Sequence, residues 1–276
     1  MTIIERLQQY KDLQPYKIAL IVDEEQYTYG QLYDAIISME FNNTSRIINL
    51  GQFNDGQKNK VLLIQSLSFV EQLLQWLWGL YKGYIPMVCH NEMDVAYIDE
   101  LARIISVEGV PTSADFGVLT SGTTGRPKPL WRSESSWREF FDIQNNIFYI
   151  NKDTKIFLHG SFSFTGVSNM VVAVLWSGGT VITTSSLRPI RWIQLIDKYH
   201  VDHIYALPTK LRLLVRHCKS KLDSVNYIIG GSQVLDRQLM EQLELICPNM
   251  EFILYYGASE LNYITYCTGK EWLDRE

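Results

Sequence analysis

Along 69–81 the apolar residues fall at 69, 70, 73, 74, 77, 78, 80 and 81, the spacing of a helix with a broad buried face. Gly83 stops that helix, and Ile85-Pro86-Met87-Val88-Cys89 reads as the strand that follows. The same alternation recurs down the chain. Short apolar runs at 60–66, 116–119, 155–158, 181–183, 203–207 and 225–229 read as buried strands, and 251–255 as the last clear one. Between them, helical spacing covers 97–106, 134–147, 166–176 with Gly178-Gly179 as its stop, and 189–199. Thr209 reads as the cap of a helix that reaches about His217, and Asp236 as the cap of one that runs to Ile246. Tyr27-Thr28-Tyr29-Gly30-Gln31-Leu32 reads as a strand end running into a helix, and the polar stretches 42–45 and 52–60 as surface loops. Strands alternating with helices predict an α/β fold of parallel sheets with helices on their faces. The expected division is into two parallel-sheet subdomains, 1–110 and 111–276.

One stretch interrupts the alternation with chemistry: Thr120-Ser121-Gly122-Thr123-Thr124-Gly125-Arg126-Pro127-Lys128, directly after the run at 116–119. Gly122 and Gly125 let the backbone approach a ligand closely. The hydroxyls of Thr120, Ser121, Thr123 and Thr124 can donate to anionic oxygens, Lys128 adds a point charge, and Pro127 stiffens the exit. The run reads as a grip for a polyphosphate rather than a plain polar turn. It is not a Walker loop, because the Gly-x4-Gly-Lys-Ser/Thr spacing is absent.

Composition changes this picture little. The chain has 276 residues, 46% hydrophobic and 20% charged, enough for a large core in one or two domains. A net charge of −5 argues against general nucleic-acid binding. No secretory signal is read in 1–10, and no apolar run reaches membrane-spanning length. Cys89, Cys218, Cys247 and Cys267 lack metal-ligand spacing and read as reduced thiols of a cytoplasmic protein. The histidines offer no spacing for a metal cluster or a Ser/His/Asp triad.

The run at 120–128 resembles the phosphate-loop signature of the adenylate-forming superfamily, Thr-Ser-Gly-Thr/Ser-Thr-Gly-x-Pro-Lys-Gly, with Pro129 in place of the last glycine. That superfamily includes acyl- and aryl-CoA synthetases, luciferases and peptide-synthetase adenylation domains. Further along, Gly230-Gly231-Ser232 is similar to the family's turn against the adenine, though taken alone it is a plain turn. Tyr255-Tyr256-Gly257-Ala258-Ser259-Glu260 is similar to the family's Tyr-Gly-x-Thr-Glu motif, with Ser259 in the threonine position. The resemblance implies that Thr120, Ser121, Gly122, Thr123, Thr124, Gly125 and Lys128 bind the phosphates, that Gly231, Ser232, Tyr256 and Gly257 lie at the adenine, that Ser259 bonds the α-phosphate, and that Glu260 holds Mg²⁺. Among these, Thr124, Lys128, Ser259 and Glu260 would carry the catalysis. Read without its neighbours, Glu260 is a solvated carboxylate.

The implied activity is ATP-dependent activation of a carboxylic acid: an acyl-adenylate forms, pyrophosphate leaves, and the acyl group passes to coenzyme A. Peptide-synthetase domains carry an Asp after a Phe to bind the substrate's ammonium. Here Thr165 follows Phe164, and no acid occurs between His159 and Met170. An ammonium buried without a carboxylate is costly, so a fatty or aryl acid is expected. Phe162, Phe164, Thr165, Tyr205 and Leu207 are its expected lining, although such aromatics are as often plain core. The His that many acyl-CoA synthetases carry in a Phe-His-x-x-Gly pattern falls at Ser163. His159 lies four residues earlier and reads as a core or rim histidine. The resemblance implies the acetyl-CoA synthetase-like N-terminal core with its C-terminal domain absent. A nucleotide-binding or interaction module without turnover, or a peptide-synthetase domain, are the other readings. The acid, the acceptor thiol and the oligomeric state are left open.

Overall fold

A computed structural model describes residues 1–41, 45–50, 60–120, 127–233 and 235–273. The chain begins with α1 (Ile3–Leu13), β1 (Ile18–Val22), β2 (Glu25–Thr28), α2 (Tyr29–Ser38), β3 (Ser45–Asn49) and β4 (Lys60–Ile64). It continues through α3 (Phe69–Tyr81), β5 (Ile85–Val88), α4 (Val95–Glu108), β6 (Phe116–Thr120), β7 (Lys128–Arg132), α5 (Glu134–Ile147) and β8 (Lys155–Leu158). Then come α6 (Thr165–Ser177), β9 (Thr180–Thr183), α7 (Pro189–Lys198), β10 (His203–Tyr205) and α8 (Pro208–His217). The chain closes with β11 (Tyr227–Gly231), α9 (Arg237–Ile246), β12 (Glu251–Ala258), β13 (Asn262–Thr268) and α10 (Gly269–Leu273). The α/β expectation holds. By its contacts the chain forms two units, one of Met1–Lys17, Tyr27–Phe140 and Gly160–Val172, the other of Ile18–Gln26, Phe141–His159 and Ala173–Glu276. The division is therefore not one cut near residue 110. β6 pairs with β5 and β7 pairs with β6, which keeps 116–132 with the earlier strands.

The first unit is built on a sheet of order β3-β4-β5-β6-β7. Its middle strands are parallel, but β3 and β7 run antiparallel at the two edges, so the sheet is mixed rather than wholly parallel. The stretch 42–45 is in part not a loop: Ser45 opens β3 and is buried, its hydroxyl on Gln75. Residues 42–44 and 52–59 lie outside the described residues. One core cluster sets Ile98, Leu101 and Ile105 of α4 with Val61, Leu63, Ile85 and Met87 of the sheet. A second set is aromatic. Trp76 meets Phe116 edge-on at 5.4 Å and Phe162 at 5.7 Å, and Phe116 lies 4.6 Å from Trp137. Helix starts follow local chemistry. Thr2 with Glu5 and Thr28 with Gln31 form capping boxes, and Ser68 and Asp94 each accept a first-turn amide.

The second unit carries the sheet β13-β12-β11-β10-β8-β9-β1-β2. Neighbours from β12 to β1 are parallel, and β13 is antiparallel at its edge. Trp192, Ile196, Leu211, Leu214, Leu239 and Leu243 from α7, α8 and α9 bury against Ile21, Phe157, Ile182, Ile204, Ile228 and Phe252. Asp236 caps α9 as its spacing predicts. Thr209 does not cap α8. Pro208 is the first helical residue, its fixed φ already suited to that place, so the cap falls on Leu207 and Thr209 sits inside the first turn. Asp23 and Glu24 join β1 to β2 with φ of 49° and 79°, a turn that favours Gly or Asn. Side chains hold it: Asp23 accepts from the Ser185 amide and the Thr184 hydroxyl, and Glu24 pairs with Arg191 and Lys198.

Candidate active site

In the first unit the phosphate-loop run is the connection of a hairpin. Thr120 ends β6, Lys128 begins β7, and the two are ladder partners. Ser121, Gly122, Thr123, Thr124 and Gly125 lie outside the described residues, as does Arg126. Lys128 is exposed, and Thr120 is half-buried. Pro127 gives its carbonyl to the hydroxyl of Tyr97 on α4, which ties the foot of the hairpin down. Lys128 is thus a strand residue rather than a loop residue, and its backbone is committed to the ladder.

From the segment 159–165, Phe162, Phe164 and Thr165 are expected to line an acid site. Phe162 does not: it is 1% exposed and packs edge-on against Phe69 at 6.0 Å and Trp76 at 5.7 Å. Phe164 is 49% exposed, with its ring stacked 5.0 Å from His90. Thr165 is the first residue of α6 rather than a loop residue. The sequence reading missed His90. Its cue is only its place, directly after the β5 run.

In the second unit the parallel pairing of β11 and β12 sets Gly231 beside Tyr255. A Cβ on Gly231 would meet the Tyr255 ring at 2.7 Å and its carbonyl at 2.8 Å. Glycine is needed there so that Tyr255 can lie across β11 and bring its hydroxyl within 2.7 Å of the Tyr205 hydroxyl on β10. Burial pushes both phenols up, Tyr205 well above the usual range. Gly230 and Gly231 therefore belong to β11 and not to a loop, while Ser232 turns out of the strand at φ 63°. The strand read as ending at Tyr255 runs on to Ala258. Tyr256 is 63% exposed, Gly257 sits at a bulge, and Ser259 and Glu260 form the turn into β13. β13 was not foreseen, though Tyr263-Ile264-Thr265-Tyr266 is a strand-like run.

His159 follows β8. Its ring lies 4.5 Å from Trp192, its Nδ1 is buried without a hydrogen-bond partner, and its carbonyl accepts from Lys210. Burial, with the Lys210 ammonium beside it, pushes the imidazole down to about 4. The rim-histidine reading stands. Between pH 6.5 and about 4 the unfolded chain holds a proton here that the folded chain refuses, so stability falls as pH falls through that window. The urea midpoint is expected to drop between pH 7 and pH 5, and less steeply in His159→Gln. Equal slopes would remove His159 as a cause.

No disulfide joins the four cysteines, and burial lifts the Cys89 and Cys247 thiols to about 12, so neither is a nucleophile. No group of three or more metal-binding side chains occurs among the described residues.

The profile of the AMP-binding enzyme family matches residues 106–276, and the chain belongs to that family. It is 25% identical over 281 residues to a protein of Staphylococcus epidermidis named as long chain fatty acid-CoA ligase VraA, covering 96% of this chain and 60% of that one. It is 28% identical over 153 residues to the acyl-CoA ligase YhfT of Bacillus subtilis, covering 55% of this chain and 32% of that one. Among solved structures, o-succinylbenzoate CoA synthetase of Bacillus subtilis matches with TM-score 0.77 at 15% identity, over 98% of this chain and 62% of that one. The N-terminal domain of FACL13 from Mycobacterium tuberculosis matches with TM-score 0.78 at 15% identity, over 99% and 80%. The chain thus spans about 60% of the length of the ligase named VraA.

Proposed function

We propose that the chain is the nucleotide-binding part of an ATP-dependent ligase that joins a fatty or aryl acid to coenzyme A. The observation that carries this is the run Thr120 to Lys128 closing a hairpin at the carboxyl end of β6 in a member of the AMP-binding enzyme family. Lys128 and the hydroxyls of Thr120, Ser121, Thr123 and Thr124 hold the phosphates, with Gly122 and Gly125 giving them room. Gly231, Ser232, Tyr256 and Gly257 receive the adenine, and the exposed ring of Tyr256 suits a base. The acid's carboxylate oxygen attacks the α-phosphorus and the bond to pyrophosphate breaks; a thiol sulfur then bonds to the acyl carbon of the adenylate, the carbon–oxygen bond to phosphate breaks, and AMP leaves. The chain's part is to place the reactants and to stabilise charge on the transferring phosphates with Lys128 and Ser259.

Glu260 suits Mg²⁺, an ion that takes one or two carboxylates and fills its shell with waters and phosphates. Its exposed place in the β12–β13 turn fits that donor set. Phe164 and Thr165 are the proposed acid contacts. Tyr205 joins them only through its ring, since its hydroxyl bonds Tyr255. No helix among the described residues is long and apolar enough to cross a membrane, and we place the activity in the cytoplasm.

A panel of acids in a pyrophosphate-release assay on the full-length protein tests the reading. Hexanoate or benzoate is expected to turn over faster than any free amino acid, because Thr165 offers no anion to an ammonium. A faster amino acid would overturn the acid class. The other reading is a nucleotide-binding module without turnover. It predicts ATP binding with no acid-dependent pyrophosphate release from the full-length protein.

A further inference from the structure

In the first unit the segment 161–164 is held by a chain of hydrogen bonds whose direction follows atom by atom. It starts at Gln72 on α3, an amide only 1% exposed. Gln72 Nε2 donates to the Ser66 carbonyl at 2.7 Å and to Asn91 Oδ1 at 2.9 Å, which fixes which end of the amide is nitrogen. Oε1 can then only accept, and it takes the Phe162 amide at 3.0 Å and the Ser161 hydroxyl at 3.1 Å. Ser161 has a single hydroxyl proton, and Gln72 has it. Across the 2.9 Å contact between Ser161 Oγ and Ser163 Oγ, Ser163 is therefore the donor. Ser163 in turn has no proton left for His90, whose Nδ1 lies 2.9 Å from its Oγ. One assignment remains: His90 carries its proton on Nδ1 and donates it to Ser163. The same imidazole stacks on Phe164, with ring centroids 5.0 Å apart and planes 29° from parallel.

We propose that His90 is a positioning residue for the acid-binding wall. Its Nδ1–H ends the chain that holds 161–164, and its ring backs Phe164 so that the exposed side of Phe164 faces the acid's apolar body. The acid in this statement rests on the ligase reading; the hold on the segment does not. Ser163 occupies the position where many acyl-CoA synthetases carry a histidine, and here an imidazole reaches it from the end of β5.

The direction of the chain has a consequence for pH. Nδ1–H is present in the neutral tautomer and in the imidazolium alike, so protonation at Nε2 leaves the bond to Ser163 in place. His90 lines a cavity of about 390 Å³ with Glu92, Asp94, Tyr97 and Glu100, while its partners Ser163 and Phe164 are neutral. Burial pushes the imidazole down against the pull of Glu92. Whichever charge state results, the donor is the same.

Asparagine and aspartate at position 90 are nearly isosteric and separate the idea cleanly. Asn keeps an N–H donor, whereas ionised Asp offers only acceptors. Hydrogen exchange on this chain, followed by mass spectrometry, is expected to leave the peptide covering 160–165 within about twofold of wild type in His90→Asn. In His90→Asp its exchange is expected to rise by about tenfold or more, through loss of the local bonds. Wild-type protection, corrected for intrinsic rate, stays flat from pH 5.5 to 8. If His90→Asp loosens the whole chain, Ser163→Ala takes its place and is expected to loosen 160–165 alone. In the full-length protein His90→Asp raises KM for the acid and leaves KM for ATP unchanged. Equal exchange in the Asn and Asp variants, or an inert Ser163→Ala, overturns the proposal. A wild-type protein without acid-dependent turnover, but with the exchange pattern intact, overturns the ligase reading and leaves His90 its hold on the segment.

Discussion

Replacing Lys128 by alanine in the full-length protein is expected to slow acid-dependent pyrophosphate exchange by about 30- to 1,000-fold. That is the loss that about 2–4 kcal/mol of transition-state stabilisation represents. The structure makes this a clean experiment. Lys128 is exposed, and its backbone, not its side chain, joins the ladder with Thr120. Alanine there removes the ammonium and keeps the hairpin. Arginine would keep the charge with a planar head of different shape, so an intermediate rate is expected from Lys128→Arg. Exchange at the wild-type rate in Lys128→Ala would sink the phosphate-grip assignment.

The largest expected loss of stability separates two phenylalanines that the sequence presents alike. Phe162→Ala is expected to cost about 3–5 kcal/mol in urea unfolding, because it empties a site bounded by the rings of Phe69 and Trp76. Phe164→Ala, at a ring 49% exposed, is expected to change stability by less than about 1 kcal/mol. Its effect falls instead on the acid, as a raised KM for hexanoate or benzoate. Equal stability losses at the two positions would show that Phe164 is core as well, and would remove it from the proposed wall.

Those two residues also show what the sequence made legible and what it did not. Periodicity placed Phe69–Tyr81, Glu134–Ile147 and Lys155–Leu158 at their observed bounds, because each is a long apolar stripe or a short buried run between clear stops. It failed at the edges of sheets. β3, β7 and β13 are antiparallel edge strands that are only partly buried, so their patterns resemble polar connections. A residue's motif was readable but its surroundings were not. Gly231 reads as a turn beside adenine, yet its glycine is required by the Tyr255 ring crossing β11. Phe162 and Phe164 both read as wall, and only packing tells them apart. His90 was invisible because the partner that gives it meaning, Ser163, is far along the chain.

The interleaving of the two units bears on how the chain is made. Segments of the first unit end at Val172, after a stretch, 141–159, that belongs to the second. During synthesis the first unit therefore lacks its Gly160–Val172 segment, with buried Phe162 and the Gln72 partners Ser161 and Phe162, until that segment has left the ribosome. The strands Ile18–Val22 and Lys155–Leu158 meanwhile wait for Thr180–Thr183, which pairs with both. Domains that fold one after another as they emerge avoid such waiting. This chain cannot: the first unit stays incomplete until Val172 is out, and Ile21, Phe157 and Ile182 of the second stay uncovered until Trp192 through Phe252 follow, so chaperone occupancy during translation should fall only once Phe252 is out.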